Sequence, residues 1–125
     1  MSAFINLVGL NHKKAFERER LTPNNSTVTP TTAKIDNIIT GSAVMTGVDG
    51  GSQGLPPYGG KSLAALIAPT GAVYLTFDGS TTPSATVGVP LVSGDVLLLE
   101  GYQNIKNLKI FAGSSIPVEV VYFKE

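Results

Sequence analysis

The chain has 125 residues, nine basic and nine acidic side chains, a formal net charge of zero and no cysteine. Its length suits one domain with enough chain to bury a core. The missing thiols exclude disulfides and thiolate metal centres, and the charge balance removes any electrostatic drive toward nucleic acid or anionic lipid. An apolar fraction of 42% argues against wholesale disorder, and no apolar run approaches the ~20 residues that cross a bilayer.

The N-terminus, MSAFINLVGLNHKK, has no basic residue ahead of its apolar stretch, which Asn6 interrupts, so no signal peptide is expected. The overlapping sequons at Asn24 and Asn25 then carry no weight. KKAFERER, residues 13–20, is compatible with a short helix, although Lys13–Glu17 attracts and Lys14–Arg18 repels at i,i+4. LTPNNSTVTPTTAK, residues 21–34, is expected to be extended and ordered only by contact with something else. Residues 1–34 therefore read either as a loose tail or as an arm lying on a partner. Phe4, Ile5, Leu7, Val8, Leu10 and Phe16 favour the arm, because solvated tails rarely carry so many large apolar groups.

Residues 35–125 read as a β domain. IDNIIT (35–40) and SAVMTGV (42–48) are short β-like runs, and DGGSQGLPPYGG (49–60) is a loop. SLAALIA (62–68), AVYLTF (72–77), VGVPLV (87–92), DVLLLE (95–100), LKIFA (108–112) and PVEVVYF (117–123) follow, separated by turn segments that include GYQNIKN (101–107). Val73, Leu75 and Phe77 alternate with Ala72, Tyr74 and Thr76. Val118, Val120 and Tyr122 alternate with Glu119, Val121 and Phe123. Period two with frequent turns predicts an all-β fold, a single antiparallel β-sandwich or β-barrel of jelly-roll-like form. The last strand is apolar on both faces, and charges are scarce on the expected outer faces, which points to an oligomer or a larger assembly.

GLPPYGGKS (54–62) imitates a phosphate-binding loop, with Gly60, Lys61 and Ser62 in the last three positions of G-x-x-x-x-G-K-[ST]. The first glycine should fall at residue 55, which is Leu55. Pro56 and Pro57 lack the N–H groups such a cradle needs, and Pro69 ends any helix that starts at Ser62. Lys61 is expected to be a solvated charge at the start of a strand. DVLLLEG resembles a strand carrying a magnesium-organising acid at Glu100, but no α/β crossover accompanies it. His12 is the single histidine, so neither a Ser-His-Asp set nor a transition-metal site is expected. Asp49 and Asp78 each precede glycine; a calcium role is weighed against the simpler one, in which the carboxylate caps its own turn. No catalytic residue, cofactor or metal is expected.

Residues 67–123 resemble a family of small structural proteins of tailed bacteriophages. The resemblance rests on Tyr74 and Phe77, Asp78-Gly79, Ala85, Gly88, Pro90-Leu91, Gly94, Leu97 to Leu99, Ile105 to Leu108 and Tyr122-Phe123. It implies a virion protein without enzymatic activity, of the capsid decoration or cement type. The expected partners are the major capsid protein or other virion subunits, and further copies in a homo-oligomer. Phe4, Leu7, Leu10 and Phe16 are the candidate capsid contacts. Tyr74, Val121 and Phe123 are the candidates for self-association, with core packing as their simpler role. A neck, tail or baseplate component, or a host-surface carbohydrate-binding module near Tyr58 and Tyr102, stands as the alternative.

Overall fold

The computed structural model describes residues 13–36 and 61–124. In chain order its elements are β1 (Lys14–Leu21), β2 (Ser26–Val28), α1 (Thr32–Ile35), β3 (Ala64–Pro69), β4 (Val73–Thr76), β5 (Val89–Leu91), β6 (Leu97–Glu100), α2 (Tyr102–Lys106), β7 (Lys109–Ala112) and β8 (Val118–Lys124). Among the described residues the strands form two four-stranded antiparallel sheets. Sheet A has the order β1-β8-β3-β6 and sheet B the order β2-β7-β4-β5. The chain alternates between the sheets except at β4–β5, which is the strand order of a jelly roll. The all-β sandwich expected from the alternation is the fold.

The alternation decides which side chains enter the core. Val118, Val120 and Tyr122 of β8 point inward with Ala65 and Ile67 of β3, against Val73 and Leu75 of β4 and Ile110 of β7. Each is fully buried, and a buried aliphatic side chain of this size contributes about 1.5–3 kcal/mol. Ile35 and Ile105, from the two short helices, join the same cluster.

Two expectations for the N-terminal third are corrected. Residues 13–20 do not form a helix. Lys14–Leu21 is a strand paired along its length with β8, from Lys14 opposite Lys124 to Leu21 opposite Val118. The weak i,i+4 support loses to this ladder, and ERER supplies its period of two, with Glu17, Glu19 and Leu21 opposite the inward residues of β8. Nor does a boundary fall at residue 34. Pro23 is fully buried, its carbonyl accepts the Ile116 N–H at 3.1 Å, and Ser26–Val28 pairs with β7. Residues 14–35 are walls of the sandwich.

Farther along the chain, SLAALIA gives strand β3, and GYQNIKN holds a helical turn, α2, where only a turn was expected. Residues 35–36 close α1, and the remainder of IDNIIT, SAVMTGV and the 49–60 loop lie outside the described residues.

Gly88 admits β4 and β5 to close approach. Its φ is +124°, and a Cβ there would sit 2.8 Å from the Leu75 carbonyl oxygen. Gly94 also has a left-handed φ, +94°, but open space around it. Gly88→Ala is expected to lower unfolding stability by about 2 kcal/mol and Gly94→Ala by about 1 kcal/mol. Denaturant titration checks the order; equal losses would mean that the Leu75 contact does not matter.

Candidate interaction surfaces

Sheet A presents its outer face through the residues of β8 and β3 that alternate with the core set. In one row across the sheet, Arg18 of β1, Val121 of β8, Leu66 of β3 and Leu98 of β6 stand side by side. The next row holds Ala15, Phe123, Ala64 and Glu100. Val121, Leu66, Leu98 and Phe123 are half-buried, while Arg18 and Glu100 are exposed. A shallow groove of about 260 Å³ runs beside Val121 and Arg18 and is also lined by Ala15, Phe16 and Glu17. The face is apolar in the middle, basic on the β1 side and acidic on the β6 side. Arg20 and Glu119, one row on, neutralise each other at 2.8 Å.

Sheet B carries a second outward row: Thr27, Phe111, Tyr74 and Pro90, from β2, β7, β4 and β5. Tyr74 and Phe111 are cross-strand neighbours, a pairing that favours aromatic contact. The three self-association candidates therefore do not form one patch. Val121 and Phe123 share the outer face of sheet A, and Tyr74 lies on the opposite side of the sandwich. Leu66, Leu98 and Phe111 belong to these faces as well. Alternation along each strand marks them as facing away from the core, but only the register shows which of them are neighbours.

Of the arm candidates, Phe4, Leu7 and Leu10 lie outside the described residues. Phe16 is the extra residue of a bulge between Ala15 and Glu17. Its ring lies 6.5 Å from that of Tyr122, and the Lys124 ammonium sits 5.7 Å from its centroid. Phe16 packs on the core of its own domain and contributes one edge to the groove.

Beneath β1 lies a polar cluster. The Glu19 carboxylate accepts hydrogen bonds from the Tyr122 hydroxyl, from the Thr31 N–H at 3.0 Å and from the Thr31 hydroxyl at 2.7 Å. Glu17 meets Lys34 at 3.4 Å. Burial, reinforced by the Glu19 carboxylate, pushes the Tyr122 phenol far above its ordinary value near 10. These groups hold β1 and α1 to the sandwich and are satisfied by one another.

Of GLPPYGGKS, only Lys61 and Ser62 lie among the described residues. The Ser62 N–H donates to the Ile35 carbonyl at 2.8 Å, and its hydroxyl donates to the Ala64 carbonyl at 3.0 Å. Lys61 lies 4.8 Å from the Tyr102 ring centroid and Lys106 lies 5.6 Å from it. The Tyr102 hydroxyl donates to Asp36 at 2.5 Å. Both ends of Tyr102 are thus engaged within the fold, and Tyr58, its proposed companion in a glycan groove, lies outside the described residues. Asp78 caps its own turn: its carboxylate accepts the N–H groups of Ser80 and Thr81 and the Thr81 hydroxyl, while Gly79 takes φ +85°. The Thr81 hydroxyl and these N–H groups hold the Asp78 carboxyl down to about 2. Among the described residues, no group of three or more His, Cys, Asp or Glu side chains could hold a metal ion, and no helix is long and apolar enough to cross a membrane.

No family model, curated protein or solved structure matches the chain.

Tyr122 and Asp78 set opposite pH limits. Tyr122 is raised on folding, so its contribution is complete below pH 10 and is lost as the pH climbs above it. Asp78 is lowered on folding, so its contribution is present above pH 3.8 and fades as the pH falls toward 2. In a spectrophotometric titration, one of the four tyrosines is expected to ionise only with unfolding, and Tyr122→Phe to remove that component. A smooth four-tyrosine titration of the folded protein would contradict the burial of this phenol.

Proposed function

We propose that this protein is a structural subunit of a bacteriophage virion, a capsid decoration or cement protein that performs no reaction. The observation that supports the reading best is a jelly roll with apolar residues on the outer faces of both sheets. Jelly rolls build viral shells, lectins and cupins, and a fold alone does not choose among them. The surfaces favour assembly. Phe123, Val121, Leu66 and Leu98 on one side, and Phe111 and Tyr74 on the other, suit contact with further protein. The polar groups described beneath β1 and around Tyr102 are taken up by internal hydrogen bonds and cation–π contacts.

In this reading the sandwich associates with copies of itself, and the apolar residues Phe4, Leu7 and Leu10 ahead of β1 contact the major capsid protein. A ligand that binds only the assembled shell stabilises that shell by mass action. Many weak contacts, linked through one oligomer, add avidity. A neck, tail or baseplate position would use the same surfaces, and a density map of purified particles separates the two. Copies spread over the whole shell mean decoration, whereas a single ring means neck or tail.

Because residues 14–28 are part of the sandwich, the arm is tested by removing residues 1–12. The shortened protein is expected to keep its cooperative unfolding transition and to lose co-sedimentation with particles. Full co-sedimentation would eliminate the arm as the capsid contact.

A further inference from the structure

We infer that the outer face of sheet A is an isologous interface that takes a second copy of this chain, with the two-fold axis parallel to the strands between β8 and β3. The inference rests on the assembly reading above and gives its self-association a defined surface. The charge pattern across the face argues for it. Read from β1 to β6, the two rows run from Arg18 through Val121, Leu66 and Leu98, and from Ala15 through Phe123 and the already fully buried Ala64 to Glu100. Neither Arg18 nor Glu100 has an ion-pair partner among the described residues, and both are exposed. With an apolar centre between them, the basic and acidic edges of this face are too far apart for Arg18 and Glu100 to pair with each other in one molecule.

Rotation about an axis parallel to the strands reverses the order of the columns and keeps the rows. It lays β1 of one copy over β6 of the other and Val121 over Leu66. Arg18 then meets Leu98 of the second copy, with Glu100 two residues along that strand, about 7 Å away and within an arginine's reach. The operation repeats at the other rim, so one interface gains two ion pairs around a shared apolar centre. A two-fold axis perpendicular to the strands would place β1 over β1 and leave both charges unmatched. Strands of packed sheets cross at about 30°, which the apolar centre tolerates.

Sedimentation equilibrium of the full chain tests the interface without particles. The wild type is expected to dimerise. Arg18→Glu and Glu100→Arg should each weaken the dimer at least about tenfold, since every substitution enters a two-fold interface twice. The double variant Arg18→Glu/Glu100→Arg should restore the wild-type constant. At concentrations low enough to keep all four proteins monomeric, their thermal melts should coincide, because both positions are exposed. A monomeric wild type, or a double variant no tighter than the single ones, overturns the inference. The two readings fail separately: a monomer that still binds particles sinks this interface alone, and a dimer that ignores particles sinks the virion reading alone.

Discussion

The fold depends on a ladder between the first and last described strands. Lys14 stands opposite Lys124 and Leu21 opposite Val118, so the two ends of the domain must meet before sheet A is complete. β8 is the only strand that joins β1 to β3 within this sheet. The ladder places Glu19 over Tyr122, seats Phe16 on the same ring and carries α1 into position through Thr31. Contacts so distant in sequence need costly loop closure before they stabilise anything. The Tyr122 hydroxyl makes the ladder selective, because a slipped register would carry Glu19 away and leave this buried group without its partner, and a buried unpaired polar group costs about 1–3 kcal/mol.

This dependence explains which parts were legible in the sequence. β4, β7 and β8 alternate apolar and polar residues or pair one buried face with a bulky outer one, a signal contained within each segment. β1 was not legible. An acidic residue at Glu19 faces inward because Thr31 and a tyrosine 103 positions later meet it, and no pattern within the strand carries that information. β2 is three residues of Ser, Thr and Val in a stretch rich in proline and polar residues. Its strand character comes from pairing with β7, and buried Pro23 and Pro30 anchor its flanks. α2 follows Gly101, whose φ of +101° turns the chain, and its buried Ile105 was readable only as an apolar residue in a polar turn.

The candidate surfaces divide in the same way. That Val121 and Phe123 share one face follows from β8 alone; that this face is turned from the core follows from the burial of Val118, Val120 and Tyr122. That they share a face with Leu66 and Leu98, while Tyr74 joins Phe111 on the far sheet, depends on register, which long-range pairing sets. Conversely, the Asp78 turn was legible in full, since its hydrogen bonds run to Ser80 and Thr81, two and three residues away.

The edges of the two sheets are built against strand addition. A free strand edge invites another strand, and natural sheets blunt it with short strands, charges, proline or bulges. Each device occurs here. β2 and β5 are three residues long and β6 is four. In β5, Pro90 has no N–H to exchange with Tyr74, so its nitrogen points to the open edge and removes a donor there. β1, the long edge, carries Lys14, Arg18 and Arg20 and is kinked by the bulge at Phe16. Edge-to-edge growth is therefore discouraged at the four edge strands among the described residues, while the sheet faces remain apolar at their centres. A chain with so few charges that places several of them along an edge leaves the centres of its sheet faces apolar.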